Sequence, residues 1–278
     1  MSNPVVPFTL EGASVLHQMF KVRWEEWRVL DVSTRHQIAS EAEDWLSMQE
    51  GAEGGEQSAA FALLGHKGDL LLVHYRKDFV GLLEAQSQVQ HLRLSEYLEM
   101  TTSYLSVVEL GLYESTRKIY DELEGRGLKQ GTEEWDGAIA ESLDRQKKAM
   151  AMRLWPEIPE SRYLCFYPMD RKRGEDKNWY QIPFADRQRM MHEHGMIGRK
   201  YGGVVKQVIS GSIGFDDWEW GVDLYADSPL PFKQLIYEMR FDEVSAVYAQ
   251  FGSFYLGLRV PSEGLGRFMK GEARSAVE

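Results

Sequence analysis

The feature that most constrains this chain is a repeated order of elements that carries no repeated sequence. Residues 15–24 alternate as a strand, with Leu16, Phe20, Val22 and Trp24 on one face. Thr34 and Gln37 have capping-box spacing ahead of a helix whose apolar stripe is Ile38, Ala42, Trp45 and Leu46. Residues 60–64 and 69–76 read as a hairpin about the turn Gly65 to Gly68. A helix near 79–89 and a strand at 104–110 complete the order βαββαβ. The second half repeats it: a strand at 162–169, a helix at 184–201, a hairpin of 204–212 and 217–225 joined through 213–216, helical segments over 232–250, and a strand at 253–260. Corresponding elements lie roughly 145–150 residues apart. The reading is an α+β fold of duplicated ferredoxin-like units, as two packed sheets or one closed barrel.

The expected division is an N-terminal half over 1–113, a helical linker over 114–152, a C-terminal half over 153–262 and a flexible tail over 263–278. The linker is charged, with one apolar stripe of Trp135, Ile139, Leu143 and Met150 that suits a helix packed on the outside.

Composition removes several function classes. A net charge of −11 argues against general nucleic-acid binding, which needs excess Lys and Arg for phosphate. Cys165 is the only cysteine, so no intrachain disulfide, cysteine zinc site or iron–sulfur cluster forms. No secretory signal or membrane-spanning run is evident, and the expected compartment is the cytoplasm. A Gly-rich phosphate loop, a nucleophile-elbow serine and a His-Glu-x-x-His motif are absent from the sequence. Any chemistry then belongs to a bound cofactor.

The unusual residues gather in the second half. On the 184–201 helix, His194 shares a side with Met190, Met191, Ile197 and Tyr201, while His192 falls beside Gln188, Arg189 and Arg199. A histidine in an apolar stripe is either a satisfied core residue or an axial ligand to haem iron, and the spacing leaves both open. Gly195 and Gly198 leave room for a flat ligand. Strand alternation puts Tyr163, Cys165, Tyr167 and Met169 on one face, with Leu164 and Phe166 on the other. Arg171, Lys172, Arg173 and Lys177 follow as a basic cluster, either a solvated run or a clamp for a polyanion. Gln207 is a polar amide between Val205 and Ile209 on one strand face and needs a partner or a cavity. Trp218, Trp220, Val222 and Leu224 read as one face of the next strand, alternating with Asp217, Glu219 and Asp223.

Several ordered blocks between about Arg153 and Arg259 carry a resemblance. They are Tyr167-Pro-Met-Asp-Arg-Lys-Arg173, Asn178-Trp-Tyr180, His192-Glu-His-Gly195, Gly198-Arg-Lys-Tyr201, Asp216-Asp-Trp-Glu-Trp-Gly221 and Tyr237-Glu-Met-Arg-Phe-Asp-Glu243. The first half adds Ser106-Val-Val-Glu-Leu110. The chain resembles the coproheme decarboxylases of the chlorite dismutase superfamily. The resemblance implies a dimeric α+β barrel, usually a homopentamer. It implies that His194 is the proximal iron ligand and Tyr167 the redox-active tyrosine. Arg153, Arg240 and Ser245 match propionate-holding positions, Met169 lies beside the reactive edge, and Gln207 matches the distal position. Coproheme (Fe-coproporphyrin III) would be both substrate and redox cofactor, hydrogen peroxide the oxidant and haem b the product. A coproporphyrin ferrochelatase is a candidate partner; nucleic acid and membrane are not.

Two departures from the family pattern matter. The family often has Lys four residues after the tyrosine; here Arg171 stands there, suited to propionate binding but a poor proton donor. The helical segment at 114–152 replaces a shorter loop in many relatives. Two other functions share this fold: chlorite dismutase, whose distal residue is characteristically arginine where Gln207 stands here, and a haem-binding or haem-delivery barrel without turnover.

Overall fold

The computed structural model describes residues 6–51 and 55–277, and both copies of the repeated order are present. The first half consists of β1 (Thr9–Val22), α1 (Trp24–Val29), α2 (Val32–Glu50), β2 (Gln57–Leu63), β3 (Leu70–Arg76), α3 (Phe79–His91) and β4 (Leu98–Gly111). Then come α4 (Tyr113–Gly125), α5 (Glu133–Ala149) and the short α6 (Ala151–Leu154). The second half consists of β5 (Tyr163–Arg171), α7 (Phe184–Lys200), β6 (Lys206–Gly211), β7 (Trp220–Ala226), α8 (Leu230–Met239), a π-helical turn at Val244–Tyr248, β8 (Ala249–Phe251) and β9 (Tyr255–Val260). The chain ends in α9 (Ser262–Met269) and α10 (Ala273–Ala276). Among the described residues no helix is long and apolar enough to cross a membrane.

Each half contributes a four-stranded antiparallel sheet, in the order β4-β1-β3-β2 and β9-β5-β7-β6. The halves meet where Val107 pairs with Gly211 and Val108 with Ser210, and again from Ala60 opposite Val260 to Leu63 opposite Gly257. With β7 paired to β5, these two seams close eight strands into a barrel, and β8 is added to β5 through Met169 opposite Phe251. Closure removes the exposed sheet edges that each half alone would present.

Val15, Phe61, Leu71, Val73, Tyr104, Leu164 and Phe166 fill the interior. Gly221 is required there, because a Cβ would sit 2.6 Å from the Tyr104 ring. A polar group spans the halves inside this apolar core. His17 Nε2 lies 2.9 Å from Asp223 Oδ1, and Tyr75 donates to Asp223 Oδ2 at 3.2 Å. Asp223, read from alternation alone as the polar side of its strand, therefore faces the sealed interior. Trp218 precedes β7 and packs against this interior cluster, so it does not share the Val222 and Leu224 face as expected.

Helices cover the outer faces of both sheets. Over the first half, Ile38, Trp45 and Leu46 of α2 pack on Phe20, Val22, Leu70 and Leu72. The start of α2 differs from the expected capping box: Asp31 accepts from the backbone N–H of Thr34, so the helix begins earlier. The expected flexible tail over 263–278 is corrected for the described part of it. Leu265 and Met269 of α9 are buried in the same cluster, and Trp27 Nε1 donates to the Met269 carbonyl at 2.8 Å. The linker forms two packed helices, with Trp135 of α5 buried against Ile119 and Leu123 of α4.

Candidate functional site

Cross-strand partners share a sheet face. Tyr167 lies opposite Val222, which lies opposite Ile209; Cys165 lies opposite Leu224, which lies opposite Gln207; Met169 lies opposite Trp220. Tyr167, Met169 and Gln207 thus stand on the outer face of the second-half sheet, the one covered by α7 and α8. Tyr167 is 4% exposed, and its ring is flanked by Phe254 at 4.7 Å and Phe251 at 5.7 Å between centroids. The Arg240 guanidinium lies 3.9 Å from the Phe251 ring centroid. Burial raises the Tyr167 phenol well above its ordinary value, against the pull of the Arg240 and Arg171 charges. The neighbouring Cys165 thiol is pushed up to about 12, chiefly by burial, which makes it a poor nucleophile.

His194 approaches from α7. That helix has Asp186 in its first turn and Arg199 and Lys200 in its last, a charge order matched to its dipole. His194 Nδ1 lies 2.8 Å from Asp242 Oδ2. Asp242 Oδ1 accepts from the Ser245 backbone N–H at 2.7 Å, and the Ser245 hydroxyl lies 3.3 Å from Oδ2. Burial pushes the Asp242 carboxyl up, but hydrogen bonds from His194 and Ser245 outweigh it and hold the group below its ordinary value. An ionised Asp242 can only accept, so Nδ1 carries the hydrogen, and in the neutral ring Nε2 is the nitrogen with a lone pair for a ligand. His192, by contrast, is largely exposed and 3.7 Å from Glu114.

Arg171 leaves an unmet demand. Its guanidinium is buried, with the carbon 5.2 Å above the Trp179 ring and one terminal nitrogen 3.6 Å from Met191 Sδ. The other terminal nitrogen is buried without a hydrogen-bond partner. Burial lowers its pKa, while Tyr113, Asp242, Tyr180 and Glu219 act against that shift. A buried guanidinium nitrogen left unpaired costs about 1–3 kcal/mol, and an incoming carboxylate would satisfy it. Gln207 donates to the Gly198 carbonyl at 3.3 Å, bridging β6 to α7. Arg153 stands apart, exposed on α6, whose Leu154 packs with Leu10 and Leu112.

These features suit an iron porphyrin bearing carboxylates. His194 offers a free ring nitrogen, Arg171 an unsatisfied donor, and Val222 and Leu224 an apolar wall continued by Ile209, which is 43% exposed. The family model for chlorite dismutase matches residues 35–260. This chain belongs to the chlorite dismutase family. A coproheme decarboxylase of Staphylococcus saprophyticus is 39% identical over 94% of this chain and 97% of its own length. A Haloquadratum walsbyi protein named for heme binding is 40% identical over 98% of this chain, which spans 49% of that relative. Among solved structures, a heme-binding protein of Thermus thermophilus superposes with a TM-score of 0.79 at 36% identity, covering 97% of this chain and 100% of that one. Chlorite dismutase of Candidatus Nitrospira defluvii, at 17% identity and TM-score 0.68 over 93% and 95% of the two chains, shares the fold.

Within this family frame, sequence reasoning missed five contributors. Asp242 lay inside a quoted block yet went unassigned, because its partner His194 is 48 residues away. Trp179, beneath Arg171, was quoted but given no role. Phe251 and Phe254, around Tyr167, are separated from it by the whole of β6, β7 and α8. Tyr113, at the start of α4, packs on Trp179 and Phe184 and so braces the helix that carries His194.

Proposed function

We propose that this protein decarboxylates two propionates of coproheme to vinyl groups with hydrogen peroxide, giving haem b. In each step a propionate loses carbon dioxide and two electrons; one hydrogen peroxide accepts them, one net proton is consumed, and two waters leave. The observation that carries this reading is a buried tyrosine, Tyr167, and, four residues along the same strand face, the partnerless guanidinium nitrogen of Arg171, with His194 on the helix over that sheet. The Staphylococcus relative, matched nearly end to end, supports the same reaction.

The division of labour follows from the side chains. His194, oriented by Asp242, would hold the iron, which supplies the peroxide chemistry. Arg171 would hold a propionate carboxylate, with Arg240, Ser245 and Arg153 as further anchors. Tyr167 would be oxidised to a radical and remove hydrogen from the propionate chain, with Met169 alongside. Gln207, an amide, would hydrogen-bond on the distal side. Proton delivery falls to a group other than Arg171, whose guanidinium stays charged even with its lowered pKa. The family resemblance further implies a homopentamer.

The test is apoprotein mixed with ferric coproheme and titrated with peroxide, followed by absorbance and mass spectrometry. Stepwise mass loss through a three-propionate intermediate to haem b is expected. Tyr167→Phe should bind coproheme at near wild-type affinity and lose decarboxylation by at least about 100-fold. Binding without mass loss in the wild type would leave a heme-binding protein, the role named for two of the relatives.

A further inference from the structure

The turn that carries Phe251 and Phe254 is fastened from the other half of the barrel. Gly252 N–H donates to the Pro168 carbonyl at 2.8 Å, one residue from Tyr167. A Cβ on Gly252 would lie 2.8 Å from the Pro168 ring, so this end of the turn lies flat on β5. At its other end, Lys67 Nζ donates to the Phe254 carbonyl at 2.5 Å and sits 5.5 Å from the Tyr255 ring centroid. Lys67 belongs to the turn between β2 and β3, in the first half. Its own backbone is tied back, its carbonyl accepting from Thr101 Oγ1 at 3.0 Å. Leu64 N–H, at the start of that turn, donates to the Leu256 carbonyl at 2.9 Å. The Lys67 ammonium is therefore a fixed donor from a braced turn, and it is half-buried.

We infer that Lys67 is a positioning residue for Tyr167: by holding the Phe254 carbonyl it sets the Phe251–Phe254 turn, and that turn sets the tyrosine ring. The chain of contacts is short. Phe254 ends one ring-width from Tyr167, and a carbonyl freed from its ammonium lets the 252–254 segment lift from one end only. A misplacement of about 1 Å at a reacting group costs as much as 100-fold in rate, so a modest shift is enough to be read. The inference rests on the proposed reaction for its kinetic arm and on geometry alone for its spectroscopic arm.

Lys67→Met keeps the apolar stem and removes the donor; Lys67→Arg keeps a donor. With carbon-13-labelled tyrosine in the apoprotein, and the Tyr167 ring signal assigned through Tyr167→Phe, Lys67→Met should shift or broaden that signal and Lys67→Arg should restore it. During peroxide turnover, Lys67→Met should lower kcat about tenfold with KM for coproheme unchanged, and alter the tyrosyl radical's hyperfine pattern. An unchanged Tyr167 signal in a folded Lys67→Met protein overturns the inference, whatever the enzyme does. A raised KM with unchanged kcat overturns it in favour of substrate binding. Absence of turnover in the wild type removes the proposed reaction, while the ring signal still decides whether Lys67 positions Tyr167.

Discussion

The two halves of the barrel repeat one element order, yet equivalent places in them treat their polar groups differently. His74 and Leu224 are the fifth residues of β3 and β7, equivalent places in the duplication. In the first half His74 is fully buried and satisfied within the chain: its Nδ1 meets the Ser58 hydroxyl at 2.7 Å and its Nε2 the Gln18 side-chain Oε1 at 3.1 Å. Arg76 donates to Ser58 and Gln49 beside it. Over this face the space left among Trp45, Leu46, Leu72, Val89 and Leu98 is only about 20 Å³, room for about one water. In the second half the outer face of the corresponding strand, Val222 and Leu224, is apolar, and two polar groups on that side, His194 and Arg171, keep a nitrogen without a partner. At these equivalent places polar satisfaction, more than hydrophobicity, distinguishes the two halves.

The sharpest way to break this comparison is to uncover the first half. Deleting residues 262–277 removes Leu265 and Met269 from the cluster over β1 and β3 and strands the Trp27 indole N–H. Two buried side chains at about 1.5–3 kcal/mol each, with a buried hydrogen bond, approach the whole stability of a typical domain. The truncated protein should unfold far below the wild-type Tm by calorimetry or fail to fold; an unchanged Tm would mean that this cover is dispensable.

A smaller effect comes from acid. Burial first, then the charges of Arg76 and His17, pull His74 down to about 3 from an ordinary 6.5. The folded state therefore prefers the neutral ring. Its contribution is complete above pH 6.5 and is lost as pH falls from there toward 3, on the order of 5 kcal/mol in all. Urea unfolding across that window should show the loss, and His74→Gln, which cannot titrate, should flatten it. Equal slopes in the two proteins would refute the assignment.

Most of the barrel was legible because alternation is a local property. The hairpin about Gly65 to Gly68, the β5 face of Tyr163, Cys165, Tyr167 and Met169, and the helix bearing His194 all followed from spacing. What was not legible depends on contacts distant in sequence. The tail over 263–278, expected to be flexible, contains Gly264, Gly266 and Gly271. The first two are instead places of close approach, where a Cβ would lie 2.2 Å from the Ala276 carbonyl oxygen and 2.6 Å from the Glu43 carboxylate. The helical run read over 232–250 is broken because Asp242 captures the Ser245 backbone N–H, turning the chain through a π-helical turn into β8. No periodicity contains that event. Roles inside the pocket came from family resemblance, since spacing alone left His194 open between core and ligand.

The smallest of these effects tests the functional half without disturbing the fold. Asp242→Asn keeps the size of the side chain and an acceptor for His194 Nδ1, but removes the negative charge that makes the imidazole a stronger donor toward iron. Burial opposes ionisation at this position, and the carboxyl is nonetheless held below its ordinary value, so at neutral pH the wild type always presents the charge. The asparagine variant should therefore bind coproheme about 10–100-fold more weakly, by titration followed in the porphyrin absorbance. Its Tm should fall only modestly: with the amide oxygen kept for His194, the Ser245 backbone N–H at 2.7 Å loses its acceptor, a cost of about 1–3 kcal/mol. The same pairing of measurements separates the halves once more: His74→Gln moves the pH dependence of stability and leaves coproheme affinity alone, whereas Asp242→Asn moves affinity and leaves most of the stability in place. A variant of Asp242 that lost stability in proportion to affinity would place the carboxylate in the scaffold, and the contrast between a closed half and a working half would then fail at its central contact.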